Sequence, residues 1–361
     1  MPRKPSLMKA FLQKKVPPIL GLDIGTRFIK AVLLERSGDS FTVVGYACEP
    51  IIGNAFADRE IKDFDAVSNA LKKAKHSLKN KKVKDVAIAV AGSSVITKVV
   101  QMEPDQTDYQ MEGQIEIEAD SLIPFPLDEV YLDFEELGPS KTHVNKVNVL
   151  LSAAHKDTVD GRVTLLREIP YEPKVVDIEG YAVANAVSDY YPTEEESVFC
   201  VNIGATLLQI AVLSNGQVEY NKEHVFGMDV LLQDICTMQG LERDEAQRQL
   251  LDETLPETWR QDTLPIFLSN LQQQINRAIQ MYITTTHAQR PTKILLCGGG
   301  AVINEVAPTL AEDLSVEVEV FNPFNTMKFG KNVDVEQLTK VAPQLAIAVG
   351  LASRGFSQWH I

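Results

Sequence analysis

Hydrophobic and polar positions follow the same pattern in the two halves of the chain. In each copy an apolar run is interrupted by an acid or an amide and then by a glycine, and a second apolar run leads to a turn. The first copy is Leu22 to Leu33, and it aligns without a gap with Val201 to Val212. Apolar runs bounded by glycine, asparagine and aspartate are typical of buried strands joined by tight turns. The pattern predicts two similar strand-turn-strand units, each in its own lobe, with a cleft between them.

A different pattern separates the two copies. Helical spacing from about Ala66 to Leu78 and an apolar run at Asp85 to Ala91 predict a helix and a buried strand of the first lobe. An acidic amphipathic helix, Met111 to Leu122, follows and ends at Ile123-Pro124-Phe125-Pro126, because proline removes a donor and disfavours helix before it. Two strands and another helix come next. Residues 104–170 therefore predict a compact αββα insert.

The remaining elements complete the expected division of the chain. A helix rich in small residues, Asp177 to Ala186, and an Ala/Gly-rich helix, Leu345 to Leu351, favour close packing at the junction of the lobes. The glycines Gly298-Gly299-Gly300 follow a strand and precede a helix expected from Ala301. The predicted parts are a basic tail at 1–17, a first lobe at 18–103 and 171–195, the insert at 104–170, a second lobe at 196–340, and a C-terminal helix at 341–361 that returns to the first lobe.

Composition narrows the class of protein. A chain of 361 residues that is 45% hydrophobic can form two or more domains. Its net charge of −14 argues against nucleic acid as the main partner. The sequence has no apolar run of membrane-spanning length and no adequate signal-peptide core, so we expect a cytoplasmic protein. The four cysteines stand singly, without metal-ligand spacing, and are expected to be reduced and mostly buried.

The first 17 residues differ from the rest. They contain only basic charges, around apolar residues at helical spacing. Such a segment can rest on an anionic membrane surface, which would make the protein peripheral at the inner membrane. The alternative is a solvated tail, because chain termini are often loose.

Four motifs, in this order, carry a resemblance to known proteins. They are Asp-Ile-Gly-Thr at Asp23, Asn-Ile-Gly-Ala-Thr at Asn202, Cys-Gly-Gly-Gly at Cys297 and the run Ala346 to Ala352. The chain resembles the actin, Hsp70 and hexokinase ATPases over nearly everything from Ile19. Within that superfamily, Ser94 to Lys98 and Ile115 to Val130 resemble the PilM family of type IV pilus assembly proteins, which is close to FtsA. The resemblance implies an α/β, two-lobed, actin-like (ribonuclease H-like) ATPase fold with an FtsA-type αββα insert.

The first glycine turn is a candidate phosphate site. Asp23 would hold a hydrated Mg²⁺ ion, because this cation keeps its waters and needs one or two carboxylates. Gly25 and Thr26 would offer backbone N–H and hydroxyl donors to phosphate oxygens. Lys30 stands where the resemblance to actin implies a phosphate-binding lysine. A plain hairpin turn is the alternative for one such triplet, and the second copy argues against it.

The second turn and the triple glycine complete the candidate nucleotide site. Gly204, Ala205 and Thr206 form the opposing phosphate turn, and Gly298, Gly299 and Gly300 would let adenine or ribose lie against bare backbone. Asn202 stands where many relatives carry aspartate. An amide brings no charge and cannot act as a base, so we expect weak or absent ATP hydrolysis. The family's Glu-x-x-Lys pair has no counterpart at residues 246–250.

Glu179 is the candidate catalytic residue. The resemblance places it where MreB and FtsA have a glutamate that orients the attacking water. A carboxylate beside the terminal phosphate can polarise water. The alternative role is that of an acid at a helix N-terminus, where the helix dipole favours it.

Three function classes remain to be compared. A sugar or acetate kinase needs a substrate base, and no residue stands out for that role. A filament-forming ATPase similar to FtsA stays open, as does a type II secretion homologue. The resemblance favours an ATP- and Mg²⁺-binding platform protein that docks the N-terminal tail of PilN, with pilus motor ATPases and the platform protein as further partners. Ile123 and Phe125 form an apolar corner that could receive the tail or, alternatively, cap the insert's own core.

Overall fold

The structure is a computed structural model and describes residues 17–356 apart from 39, 80–81, 141–142, 192–196 and 215. Except for Pro17, the predicted basic tail lies outside the described residues. The strands are β1 Leu20–Ile24, β2 Phe28–Ser37, β3 Ser40–Pro50, β4 Phe56–Ala57, β5 Glu60–Ile61, β6 Asp85–Val90, β7 Val95–Met102, β8 Val130–Pro139, β9 Val147–His155, β10 Glu172–Ile178, β11 Val198–Ile203, β12 Leu207–Ser214, β13 Gln217–Val225, β14 Lys293–Cys297, β15 Glu317–Val320 and β16 Lys328–Phe329.

Helices alternate with these strands. They are α1 Phe64–Ser77, α2 Asp108–Leu122, α3 Lys156–Glu168, α4 Glu179–Tyr190, α5 Met228–Gln239, α6 Arg243–Leu251, α7 Thr258–Asp262, α8 Leu264–Thr286, α9 Val306–Leu314, α10 Val335–Val341 and α11 Ala346–Ser353. Short 3₁₀ turns lie at Leu127–Glu129, Gly299–Val302, Ala342–Leu345 and Arg354–Phe356.

Side chains fix several of the helix ends. Helix α2 begins with a capping box in which Thr107 Oγ1 accepts from the Gln110 N–H and the Gln110 side chain accepts from the Thr107 N–H. It ends at Ile123, directly before Pro124, as the sequence predicts. Asp63 caps α1 in the same way by accepting from the Ala66 N–H at 2.9 Å.

The first lobe is built on a six-stranded sheet in the order β10-β6-β1-β2-β3-β16. Strands β1 to β3 are antiparallel, and β6 and β10 run parallel to β1. One face packs against α1 and the end of α3, including Leu71, Leu165 and Leu166. The other face packs against α4 and α11. Both faces are covered, which explains the nearly continuous apolar runs of the inner strands.

The second lobe repeats this plan with a five-stranded sheet in the order β13-β12-β11-β14-β15. Helix α8 contributes more residues to the core on one face than any other helix, and its Tyr282 packs edge-to-face against both Phe199 and Tyr220. The other face shares the core of α4 and α11 with the first lobe. These two helices therefore lie between the sheets.

The duplicated units predicted from the sequence are confirmed. Asp23 lies directly opposite Lys30 in the β1–β2 pair, and Asn202 lies directly opposite Gln209 in the β11–β12 pair. The connecting turns are also alike. The N–H of Gly25 donates to the carbonyl of Phe28 at 3.1 Å, and in the second copy Gly204 donates to Leu207 at 2.9 Å.

Helices α4 and α11 cross with their backbones in contact. A Cβ atom at Gly350 would overlap the carbonyl oxygen of Ala182, and a Cβ atom at Gly21 would overlap that of Ala348. Glycine is therefore required at both positions, because any side chain would push α11 away from α4 or from β1. The close packing predicted from the small residues of these helices is present at the junction of the lobes.

The insert differs from the predicted αββα unit at both boundaries. Its sheet has three strands in the order β7-β9-β8, so it begins with β7, before residue 104. Helix α2 covers one face of this sheet and forms a separate apolar core with it. The final helix, α3, instead contributes Leu165 and Leu166 to the first-lobe core. Sequence pattern alone did not reveal that β7 pairs with β9 across the intervening helix.

The second lobe also ends earlier than residue 340. Strand β16 pairs with Thr42 and Val43 of β3, so the chain has already returned to the first-lobe sheet at Lys328. This strand is two residues long, too short to produce a periodic pattern. Helix α10 and the C-terminal helix follow on the same side of the molecule.

Candidate functional site

A single cleft between the lobes brings together most of the predicted site residues. It has a volume of about 1330 Å³ including its open mouth. Ten predicted residues line it: Asp23, Gly25, Thr26, Lys30, Glu179, Asn202, Gly204, Ala205, Gly298 and Gly299. Thr206 and Gly300 do not.

The first-lobe turn places an ion pair at the base of the cleft. Lys30 Nζ lies 2.5 Å from Asp23 Oδ2, and the Asp23 side chain is almost fully buried. Burial raises the pKa of the Asp23 carboxyl, and Lys30 opposes that shift. The sequence predicts that the N–H of Gly25 donates to a phosphate. In the structure this N–H instead closes the turn and is not available.

The second-lobe turn holds a neutral counterpart of this pair. Asn202 Nδ2 donates to Gln209 Oε1 at 2.7 Å, and Asn202 Oδ1 accepts from Cys297 Sγ at 3.7 Å. The N–H of Gly204 is used inside the turn. Carbonyl groups of Gly204 and Ala205 accept from the first N–H groups of α5, which fixes the turn on that helix. The hydroxyl of Thr206 is buried and, among the described residues, has no hydrogen-bond partner.

Glu179 is the first residue of α4 and also lines the cleft, so its position agrees with both roles considered for it. Its carboxylate pairs with Arg59 and accepts from Gln209 Nε2 at 2.8 Å. The same Gln209 nitrogen lies 3.2 Å from Glu223 Oε1, and Glu223 Oε2 accepts from the Gly92 N–H at 2.7 Å. Burial, and then the charge of Glu179, raise the pKa of Glu223. A continuous polar network thus runs from the cleft to the point where the chain leaves for the insert.

The triple glycine is a tight turn, and not the start of an α-helix. Gly298 to Gly300 lead into a 3₁₀ turn, and α9 begins only at Val306. Gly298 has a φ of +86°, and a Cβ atom there would overlap Asn202 and Ile203. A Cβ atom at Gly300 would overlap the Ile203 side chain, so this residue packs against β11 and does not face the cleft. Of these three glycines, only Gly298 and Gly299 line the cleft and offer bare backbone to a ligand.

The second lobe supplies the apolar wall of the cleft. Its lining includes Met228, Leu232, Leu250, Leu251, Trp259, Val302 and Ile303. The stretch 246–250, where the family's charged pair is absent, does line the cleft through Gln247 and Leu250. A planar base fits such a wall, because aromatic and aliphatic surfaces bury it and a few polar groups orient it.

A salt bridge joins the lobes across the cleft. Arg27 donates from Nε and Nη2 to the two carboxylate oxygens of Asp229, each at 3.1 Å. Arg243 Nη2 lies 2.7 Å from the same carboxylate. Two parallel hydrogen bonds between a guanidinium and a carboxylate fix geometry as well as charge. The bridge sets the separation of the lobes at this side of the cleft.

The predicted apolar corner packs against the core of the insert. Ile123 is buried, and Phe125 is partly buried against the same insert core and packs edge-to-face on His155. The structure therefore favours the alternative role for these residues, which is to cap the core of the insert. Ile123 has almost no exposed surface left for a peptide, and Phe125 keeps only part of its own.

Three cleft residues and one residue of the adjoining polar network were missed from the sequence. Arg27 and Asp229 come from opposite lobes, and Arg59 reaches the cleft from the β4–β5 hairpin. These three carry no local signal, because only the tertiary fold brings them together. Gln209 could have been found, since it occupies in the second copy the position that Lys30 occupies in the first.

The residues present fit a hydrated Mg²⁺ ion. Among the described residues no group of three or more His, Cys, Asp and Glu side chains could hold a metal by itself. Mg²⁺ does not require one, because it is commonly held by one or two carboxylates, water and substrate phosphates. The buried Asp23 carboxylate, whose pKa is raised, offers a site where a cation would restore the ionised form.

Comparison with known proteins decides the family. The family model described as "Type IV pilus assembly protein PilM" matches residues 21–356. The chain belongs to the PilM family. The solved structure of a PilM-PilN type IV pilus biogenesis complex has a TM-score of 0.82 at 23% identity, over 95% of this chain and 99% of the other. The ethanolamine utilization protein EutJ from Carboxydothermus hydrogenoformans has a TM-score of 0.57 at 14% identity, over 93% and 89%.

Membership of the PilM family agrees with the fold described above. The expected two-lobed, actin-like α/β fold is confirmed by the likeness to both solved structures, whose identity is too low to transfer individual roles. Within the described part of the chain, none of the helices combines the length and hydrophobicity needed to span a bilayer.

Proposed function

We propose that this PilM-family protein binds ATP with Mg²⁺ in the cleft and docks the N-terminal tail of a PilN protein on the insert. On this proposal it acts at the cytoplasmic face of the inner membrane as part of the pilus assembly platform, with motor ATPases and the platform protein as further partners. The observation that carries the nucleotide part is the meeting of both glycine turns in one cleft, beside Asp23 and an apolar wall.

The arrangement supports a proposed place for each part of the nucleotide. The apolar wall of the second lobe would hold the base, and the phosphates would lie between the two turns. Asp23 would hold Mg²⁺ through water, which neutralises phosphate charge when the ion is bound. Hydrolysis is expected to be slow, because Asn202 adds no charge and Glu179 is already paired with Arg59.

Thermal denaturation tests the nucleotide proposal. At about 100 times the dissociation constant, ATP with Mg²⁺ should stabilise the fold by about 2.7 kcal/mol, which is a measurable rise in Tm. Asp23→Ala should remove most of the rise. Glu60→Ala, an exposed carboxylate outside the cleft, is the matched control and should keep it. An equal rise in Asp23→Ala would rule out this metal site.

The docking proposal rests on the face of the insert sheet that α2 leaves uncovered. Val99 and Tyr131 lie on this face and are each 47% exposed. It turns toward the first lobe, since Thr97 of β7 lies beside Tyr181 of α4. Half-exposed apolar side chains beside an edge strand suit an extended peptide with apolar residues. The choice of PilN is supported by the similar solved structure, which is a complex of another PilM with PilN.

A charge on this face tests the docking proposal. Val99→Glu should abolish co-purification with the PilN tail while Tm and the ATP-induced rise stay nearly unchanged, because the side chain is half exposed. Ile117→Glu is the control, because the Ile117 side chain lies on α2 and is 81% exposed. This variant should still co-purify with the PilN tail. Retention of PilN by Val99→Glu, or its loss in both variants, would refute this surface. A filament protein would instead pellet with ATP in the absence of PilN.

A further inference from the structure

The β4–β5 hairpin directs one arginine into the cleft at a conformational cost. Its two turn residues, Asp58 and Arg59, have φ values of +48° and +67°. Neither is glycine, and a side chain in the left-handed region is strained. The Arg59 side chain is only 12% exposed and lines the cleft. Strain of this kind persists where the surrounding structure requires the conformation, and such positions concentrate at functional sites.

The surroundings of Arg59 leave its guanidinium short of acceptors. It pairs with Glu179, and its buried Nε has no hydrogen-bond partner among the described residues. The stem of the side chain passes over Gly92, where an added Cβ would lie 3.1 Å from Arg59 Cδ. A glycine at this point therefore keeps the path of the arginine open.

A second cation lies behind Arg59. Arg162 of α3 is 2% exposed, donates from Nη1 to the Thr158 carbonyl at 3.2 Å, and its Nε also has no partner within the described part of the chain. Burial lowers the pKa of Arg162 to about 10, and repulsion by Arg59 adds to the shift. An anion entering this end of the cleft would offset the repulsion and offer an acceptor to Arg59, which lines the cleft.

The position of Arg59 along the cleft identifies which anion this would be. The apolar wall that suits a base belongs to the second lobe, and Asp23 and the two glycine turns line the same cleft. Arg59 and Glu179 lie close enough to Asp23 for their charges to act on the pKa of its carboxyl. A nucleotide with its base on the wall would therefore bring its last phosphate to Arg59.

We infer that Arg59 recognises the terminal phosphate of a bound nucleoside triphosphate and, in doing so, releases Glu179. This inference rests on the proposed nucleotide function. With a diphosphate bound, Arg59 stays paired with Glu179. With a triphosphate bound, the guanidinium donates to the terminal phosphate, and the carboxylate is held by Gln209 alone. Arg59 is thus the residue that distinguishes ATP from ADP.

Affinities for ATP and ADP, each with Mg²⁺, test the inference by calorimetry. Arg59→Gln should weaken ATP binding about 10- to 100-fold, the loss of one charge-assisted contact, and change ADP binding less than about 3-fold. Arg59→Lys should recover part of the loss, because it keeps the charge but not the fork. The control is Lys62→Gln in the same hairpin, whose Nζ bonds the exposed Glu60 at 2.7 Å, and it should change neither affinity.

A double variant guards against simple loss of stability. Arg59→Gln leaves the buried Glu179 without its counter-charge, so Arg59→Gln/Glu179→Gln, which carries neither charge, should fold and still fail to prefer ATP. An unchanged ratio of ATP to ADP affinity in both variants would overturn the inference and leave the proposed function standing. Absence of any nucleotide binding by the wild-type protein would overturn both.

Discussion

Replacing Gly350 by alanine would test the helix crossing that joins the two lobes. In an unobstructed helix, Gly→Ala stabilises the fold by about 0.5–1 kcal/mol, because alanine loses less backbone entropy. At Gly350 the new methyl group would instead overlap the Ala182 carbonyl and lie close to the Ala186 nitrogen. Both obstacles are backbone atoms of α4, which cannot turn away as a side chain can.

The expected loss follows from these two effects. Overpacking typically costs about 1–3 kcal/mol, and a backbone obstacle places Gly350→Ala near the upper limit. After subtracting the helical gain, the free energy of unfolding should fall by about 2 kcal/mol, or about 3 °C in Tm for a chain of this size. Gly161→Ala is the matched control, because Gly161 lies inside α3 with nothing within 4 Å of an added Cβ. It should raise stability by about 0.5–1 kcal/mol.

Urea denaturation and thermal melting of the two variants give the answer. The same substitution should shift stability in opposite directions, a difference of about 3 kcal/mol between variants. If Gly350→Ala were as stable as the wild-type protein, the lobes would not depend on contact between the α4 and α11 backbones. If both variants lost stability equally, the expectation that Gly→Ala stabilises an unobstructed helix would be wrong for this protein.

Two further predictions concern charge. Asn202→Asp should raise the rate of ATP hydrolysis, because it restores a charge that can organise the water around the metal. The rate is measured as phosphate release, and a rate at or below the wild-type value would contradict this prediction. Burial lowers the pKa of His224 from 6.5, and the positive charges of Arg277 and Lys222 add to the shift. Folded protein then holds less proton than the unfolded chain, so stability should fall as the pH drops below about 6.5 toward the folded pKa. His224→Gln should reduce the Tm difference between about pH 7.5 and 5.5, and the exposed His76→Gln should not.

Local patterns predicted the duplicated core of the site well. The strand-turn-strand units are short, continuous and chemically marked, and the register that places Asp23 opposite Lys30 follows directly from a tight turn. The same reasoning applied to the second copy would have identified Gln209. The packing of the small-residue helices could also be predicted from the sequence, because close packing requires small residues over a whole helix face.

Residues supplied by distant parts of the chain could not be predicted in this way. Arg59 stands in a two-residue turn between strands of two residues each, and nothing in the nearby sequence marks it as part of a cleft. The boundary of the insert was misplaced for a similar reason, since β7 joins its sheet only through pairing with β9. Gly300 and Phe125 had suitable chemistry, but packing turned them toward the protein interior.

The charged pair of the first lobe and the amide pair of the second lobe differ in what fixes the direction of their hydrogen bonds. Asp23 and Lys30 have a fixed polarity, because the carboxylate can only accept and the ammonium can only donate. Asn202 and Gln209 are amides, and half a turn about the last side-chain bond exchanges donor and acceptor without moving a proton. The direction of the hydrogen bond in this pair is decided by Glu179 and Glu223, whose carboxylates accept from Gln209 Nε2 and leave Gln209 Oε1 to accept from Asn202. The first-lobe pair therefore sets its own polarity, whereas the second-lobe pair takes its polarity from the acids beside it.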